Sequence, residues 1–162
     1  MSKQKNIAIV GAGLVGSLWA VYMAKRGHRV TVFDRRNDIR TMKVVQGKSI
    51  NLALSDRGWR GLEGAGIRQE IERVALPMAG RKMHARDGTL TYQPYGKEDQ
   101  AIYSVSRGLL NQTLVECADR FEQVELRFNH RCLDVNIEKN ELVFVKEDTN
   151  ETVLPFLAIF LR

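Results

Sequence analysis

Between Asn6 and Asp34 the chain reads NIAIVGAGLVGSLWAVYMAKRGHRVTVFD, and few folds accommodate that order of residues. Ile7, Ile9 and Val10 form a short apolar run of the kind a buried parallel strand needs, and Gly11 ends it. Gly11, Gly13 and Gly16 make the pattern G-x-G-x-x-G. The first glycine permits a tight turn, the second lets the backbone approach a pyrophosphate, and the third lets a helix pack closely on the strand. Ala20 and Met23 then recur at helical spacing, and Gly27 stands where the helix must end. Val30, Val32 and Phe33 supply a second strand, with Asp34 at its carboxyl end.

Strand, glycine turn, helix, strand and terminal acid together predict a βαβ unit with a dinucleotide in its crevice. The phosphates would face the unpaired N–H groups and positive dipole end of the helix. Asp34 stands where a carboxylate accepts from the adenosine ribose hydroxyls, and an acid there disfavours the extra 2′-phosphate of NADP, leaving FAD or NAD. Arg35 and Arg36 suit either a phosphate or a solvated basic corner.

Size limits what else fits. With 162 residues and 44% hydrophobic content, the chain can build one ordinary core but not two full domains. The net charge of +6 is spread along the chain without a basic stripe interleaved with aromatics. It therefore suits an anionic cofactor and anionic substrates better than nucleic acid. Cys117 and Cys132 lack C-x-x-C spacing, which fits a reducing cytoplasm. MSKQKN passes directly into the first strand, so no signal peptide is expected. The apolar tail from Val153 to Leu161 is far shorter than the roughly 20 residues that cross a bilayer. His28, His84 and His130 lack ligand spacing and read as ordinary histidines rather than a metal site.

Further along, Arg35 to Lys48 reads as a long polar loop and Ser49 to Leu54 as a strand. Ser55 or Asp56 can cap a short helix through Leu62, with Gly64 and Gly66 breaking it before a second helix, Ile67 to Val74. KMHAR and TLTYQPY flank Asp87-Gly88, which predicts a hairpin with a type I′ turn. Ala101 to Val105 is a strand candidate, and Gly108 to Arg120 an amphipathic helix with Leu110, Leu114 and Cys117 or Ala118 on one face. Val124 to Phe128, Cys132 to Ile137 and Leu142 to Val145, the last two joined across Lys139-Asn140, are expected to form a small antiparallel sheet.

Several blocks are more specific than the glycines. GKSINLALSDRG, the Pro-Met preceding GRKMH, YQPYG and YSVSR, taken with the βαβ pattern, closely resemble the FAD-dependent aromatic hydroxylase family, in its kynurenine-hydroxylating branch. The likeness runs from about Asn6 to about Val145. It implies an α/β fold, a Rossmann-like FAD-binding βαβ domain with an additional small antiparallel sheet, truncated. Residues 1–162 would form an incomplete FAD-binding domain, and 81–106 part of a substrate-binding sheet. FAD would lie along Gly11, Gly13, Val15 and Gly16, its adenosine ribose at Asp34 with Phe33, Arg35 and Arg36 as neighbours. Ala53 and Arg107 match positions that touch the flavin, and Cys132 one whose backbone lies near the adenine end. Arg81 and Tyr95 match the pair that holds the substrate's carboxylate.

An arginine fork accepts a carboxylate through two parallel charge-assisted bonds, and a tyrosine hydroxyl can complete the shell. Read from the residues alone, without the resemblance, Arg81 as an ordinary hairpin arginine and Tyr95 as a packing aromatic is the preferred reading, because such residues are common on half-buried sheets. Arg107 at a helix start is an unfavourable place for a cation, which favours a ligand role. The implied reaction is hydroxylation of L-kynurenine to 3-hydroxykynurenine with NADPH as reductant and molecular oxygen as oxidant, and no side chain is needed as nucleophile or general base. After Asn150 the text departs from the family, with VLPFLAIFLR where a strand leading to an Asp-Gly motif is expected. The expectation is an amino-terminal fragment that alone binds FAD weakly and does not hydroxylate kynurenine. The rival readings are another FAD-dependent oxidoreductase and a non-catalytic dinucleotide-binding module.

Overall fold

The fold comes from a computed structural model that describes residues 3–41, 50–97, 101–139, 141–147 and 149, and the backbone alone of 152–157. The latter half of the expected 35–48 loop, Ser49, Asn140 and residues 158–162 lie outside the described residues. The chain divides into two units, Met1–Val44 with Asn111–Arg162, and Val45–Leu110.

The first unit begins with the expected βαβ. Strand β1 (Asn6–Val10), helix α1 (Leu14–Lys25) and strand β2 (Arg29–Phe33) follow in order, with β1 and β2 parallel. Their register pairs Ile7 with Val30 and Ile9 with Val32, so these four share one face of the sheet. On α1, Ser17, Ala20, Val21 and Ala24 are buried at the spacing of a single helical stripe. The helix ends as the sequence predicts. Gly27 takes φ +79°, its N–H donates to Ala24 O, and His28 N–H reaches Met23 O, which closes the last turn in the double-bond arrangement that favours glycine.

Ala8, Thr31 and Phe33 point to the other face, which a second sheet covers. That sheet is antiparallel, in the order β11 (Thr152–Leu157), β10 (Glu141–Lys146), β9 (His130–Asn136). Phe144 stacks on Phe33 with ring centroids 3.9 Å apart, Leu142 completes the buried cluster, and Ala8 and Cys132 pack against it. Pro155, which has no N–H to give a ladder, falls on the edge strand where the β10–β11 register shifts.

Val124 to Phe128 departs from the expectation. Its strand, β8 (Val124–Arg127), lies parallel to β2, with Val30 opposite Val124, and so is the third strand of the parallel sheet. It does not join the antiparallel one. Helix α4 (Arg107–Asp119) precedes it and buries Leu110, Leu114, Val115, Cys117 and Ala118. Beyond β2, Arg40 forms ion pairs with both Asp38 and Asp119, tying the described part of the loop to the end of α4.

In the second unit, β3 (Asn51–Leu54) and β4 (Leu76–Met78) flank β7 (Ile102–Ser106) in an antiparallel sheet. Helix α2 runs from Asp56 to Ala65 rather than stopping at Gly64. Burial of Trp59, Leu62 and Ala65 outweighs the cost of about 1 kcal/mol for one helical glycine. Gly66, at φ +88°, ends the helix, and α3 is only Arg68–Glu72. Strands β5 (Gly80–His84) and β6 (Leu90–Pro94) form the expected hairpin. Its turn is not type I′, which needs φ > 0 at both central residues. Gly88 alone is left-handed, its N–H bonds Ala85 O, and Asp87 instead accepts from Thr89 N–H.

Candidate functional site

At the carboxyl ends of β1 and β2, the glycine turn is held in place by hydrogen bonds the sequence does not advertise. Gly11 takes φ +108° and donates its N–H to Phe33 O at 2.6 Å, locking the turn to the end of β2. A side chain on Gly16 would place its Cβ 1.9 Å from Gly11 O and 3.2 Å from a methyl of Ile9, so only glycine lets α1 approach the strand this closely. At Gly11 and Gly13 a Cβ would meet nothing within 4 Å. The turn is thus closed toward the sheet at Gly16 and open at the first two glycines, where a ligand's phosphates could approach the backbone.

Gly13 is the N-cap of α1, and the first intrahelical bond runs from Ser17 N–H to Gly13 O at 2.9 Å. The preceding amides, Leu14, Val15 and Gly16, have no carbonyl to meet inside the helix. No acidic side chain occupies the first turn, and Val15 is exposed. A phosphate would find free N–H groups and the positive end of the dipole there. The residues present therefore fit a dinucleotide phosphate.

Asp34 is buried, with 5% of its surface exposed, and both carboxylate oxygens are engaged by the protein. Oδ2 accepts from Ala12 N–H and Arg36 Nη2, each at 2.8 Å, and Oδ1 from Arg36 N–H and Nε, each at 2.9 Å. Four bonds fill the carboxylate's capacity, so ribose hydroxyls reach it only in exchange for part of the Arg36 fork. Burial pushes the Asp34 carboxyl up, but the Arg36 side chain and amide, the Ala12 amide and the Arg36 charge together hold it below its ordinary 3.8. A depressed native value adds stability above the unfolded value, and that stability is lost as the pH falls through the lower native one. The thermal midpoint of the native chain should exceed that of Asp34→Asn by a constant margin at about pH 5–7, and the margin should shrink below about pH 4. A margin independent of pH down to about 2 would show that the ion pair contributes nothing.

Cys132 lies on β9 opposite Phe144, against the cluster that holds Phe33, and His130 N–H of the same strand bonds Asp34 O. Burial pushes its thiol up, which disfavours a reactive thiolate. Arg35 is exposed beside Asp34. One unit thus brings together Gly11, Gly13, Val15, Gly16, Phe33, Asp34, Arg36 and Cys132.

The other matched residues belong to the second unit. Ala53 is exposed on β3 opposite Ser104. Arg107 opens α4 and donates its backbone N–H to Ile50 O. On the hairpin, Arg81 pairs with Gln93, and Tyr95 N–H bonds Ala79 O, so Arg81 and Tyr95 project from the same face. Arg81 Nε donates to Gln93 Oε1 at 2.9 Å, which leaves the two terminal nitrogens as a fork for a carboxylate. Asn111 went unnoticed in the sequence. It is buried on α4, and its Nδ2 donates to Ala12 O at 3.2 Å. The signal was a polar residue inside the apolar stripe of Leu110, Leu114 and Ala118.

Similarity to known proteins agrees with this geometry. A family described as an NAD(P)-binding Rossmann-like domain matches residues 9–73. Over 142 residues the chain is 47% identical to kynurenine 3-monooxygenase of Christiangramia forsetii, covering 88% of this chain and 31% of that protein. The kynurenine 3-monooxygenase of Caenorhabditis elegans is 44% identical over 139 residues, with 85% and 30% covered. The chain is thus similar over nearly its whole length to kynurenine 3-monooxygenases, and spans about a third of the length of these curated relatives. Among solved structures, the flavin-dependent monooxygenase PieE, in complex with FAD and substrate, superposes with a TM-score of 0.75 at 17% identity, over 94% of this chain and 29% of that one. For p-nitrophenol 4-monooxygenase PnpA from Pseudomonas putida the values are 0.70 and 19%, over 89% and 36%. These matches establish a Rossmann-like α/β fold.

Proposed function

We propose, from the likeness to kynurenine 3-monooxygenases, that this chain supplies the FAD-binding part of a flavin-dependent aromatic hydroxylase, and that the whole protein converts L-kynurenine to 3-hydroxykynurenine with NADPH and molecular oxygen. The observation that carries the cofactor is the glycine turn, closed at Gly16 and open at Gly11 and Gly13, with unpaired amides above it. Bound FAD would supply the redox chemistry that side chains lack. The chain's own residues bind and orient. Gly11, Gly13, Val15 and Gly16 would receive the diphosphate through backbone amides, with Phe33, Asp34, Arg35, Arg36 and Cys132 around the adenosine end. Ala53 and Arg107 would border the flavin.

Arg81 and Tyr95 would hold the amino-acid carboxylate of kynurenine by the free guanidinium edge and the phenol hydroxyl. Fixing that end orients the aromatic ring, which is the main contribution a protein makes when the cofactor carries the reaction. The two free cysteines, Cys117 and Cys132, suit a reducing, cytoplasmic setting. Among the described residues no helix is long and apolar enough to cross a membrane.

Two measurements test the reading. Titration of the chain with FAD, followed by quenching of flavin fluorescence, should saturate, and NADPH oxidation by the complete protein should accelerate with L-kynurenine and not with phenolic acids. In that protein Arg81→Met should raise KM for kynurenine at least about tenfold, the cost of losing a charge-assisted pair, with a smaller change in kcat. Acceleration by phenolic acids alone would favour a different flavin hydroxylase. Saturable FAD binding without any redox turnover of the complete protein would favour a binding module.

A further inference from the structure

Ala12 is held at both ends by side chains distant in sequence. Its N–H is bonded by Asp34 Oδ2 at 2.8 Å, and its carbonyl by Asn111 Nδ2 at 3.2 Å. All three residues are buried, with Ala12 3%, Asp34 5% and Asn111 7% exposed. The two bonds act on successive peptide planes, Gly11–Ala12 through its N–H and Ala12–Gly13 through its C=O. In a trans peptide the C=O and the following N–H point in opposite directions. Drawing the Ala12 carbonyl toward buried Asn111 therefore turns the Gly13 N–H away from the interior, to the side where a Cβ on Gly13 would meet nothing within 4 Å. That amide takes no partner among the described residues.

The chemistry of Asn111 leaves little choice of orientation. A carbonyl can only accept, so the amide must present its NH₂ group to Ala12, and its buried Oδ1 has no partner among the described residues. A buried acceptor without a partner costs free energy, so the side chain is held in this orientation by its bond to the Ala12 carbonyl at the expense of its own oxygen. Gly13 has no Cβ to oppose a reversal of the Ala12–Gly13 peptide. Reversed, the peptide would present a carbonyl where a phosphate needs a donor.

We propose that Asn111 is a positioning residue that keeps the Ala12–Gly13 peptide in the orientation that offers the Gly13 N–H to the cofactor's phosphate. The inference rests on the dinucleotide reading given above. It extends the cofactor site to helix α4, which makes no contact with phosphate in this role and acts through the turn.

Amide hydrogen exchange of the ligand-free 162-residue chain, resolved at Ala12 and Gly13, tests the geometry first. The Ala12 amide should exchange slowly and the Gly13 amide fast. Protection of Gly13 without ligand would overturn the proposal, with no variant required. Asn111→Leu, similar in size but without the donor, should speed Ala12 exchange at least tenfold and leave Val21 in α1 unchanged. It should weaken FAD binding at least tenfold. Leu114→Ala, one turn further along α4, serves as the comparison, since it should lower the thermal midpoint while the folded fraction keeps native FAD affinity. Equal loss of FAD affinity in the two variants, or native affinity in Asn111→Leu, would overturn the proposal. If the native chain binds no FAD, the dinucleotide reading fails, and the exchange pattern still decides whether Asn111 holds the turn.

Discussion

Gly16→Ala is expected to lower stability by about 3 kcal/mol or more and to abolish measurable FAD binding, because the added methyl lands on backbone. Its Cβ would lie 1.9 Å from the Gly11 carbonyl oxygen and 3.1 Å from the carbonyl carbon. No rotamer change relieves a clash with a main-chain carbonyl, so α1 must lift from β1. The lift would break the bond from Gly11 N–H to Phe33 O and the burial of Ala20 and Val21, both fully enclosed. Gly13→Ala separates fold from ligand. Gly13 has φ −81° and open space around its Cβ position, so alanine there should leave the thermal midpoint unchanged or slightly raised. The methyl would still obstruct the approach to the turn, and FAD affinity should fall. Thermal melts beside flavin titrations check both variants. A native midpoint for Gly16→Ala would refute the close approach of helix to strand.

Phe144→Ala should cost about 3–5 kcal/mol, the range for removing a buried aromatic that leaves a cavity. Phe144 is fully enclosed and stacks on Phe33 at an interplanar angle of 16°, with Leu142 beside it. These three side chains join the antiparallel sheet to the parallel one. The loss should appear as a lower urea midpoint, and because Phe33 precedes Asp34, the carboxylate's bonds to Ala12 and Arg36 should loosen with it. A midpoint within about 0.5 kcal/mol of native would mean that the two sheets do not rely on this contact.

Much of the glycine turn was legible because Gly11 and Gly16 answer local demands, a left-handed φ and a close approach of helix to strand, and neighbours in sequence reveal local demands. The partner of β8 was not. Val124, Glu125, Leu126 and Arg127 alternate as any half-buried strand does, and alternation does not say whether the neighbour runs parallel or antiparallel. That choice was made by the free edge of β2. Gly64 was misread as a stop because its local cost is real, whereas the burial of Trp59, Leu62 and Ala65 that overrides it is tertiary. Asp87-Gly88 was read by its commonest hairpin use, but Asp87 found a cheaper bond to Thr89 N–H without entering the left-handed region. Asp34 was visible as an acid at the end of β2, yet its partners were not, since the Ala12 amide reaches it only after the turn has folded. Asn111 is the same lesson in reverse: a polar residue amid apolar ones was in plain view, and only the fold shows what it holds.

The division of the chain also sets an order of events. The second unit, Val45–Leu110, is continuous in sequence, whereas the first is assembled from two separated segments. As the chain leaves the ribosome, β1, α1 and β2 emerge early, but the strand that pairs with the free edge of β2 emerges only after the whole intervening unit. Closing the Val30–Val124 pair spans more than half the chain, and such non-local pairings slow folding and leave strand edges exposed in the interval. The glycine turn is thus synthesised well before the side chain that holds it, since Ala12 waits for Asn111. During that interval the nascent chain is most exposed to aggregation and has most to gain from a chaperone.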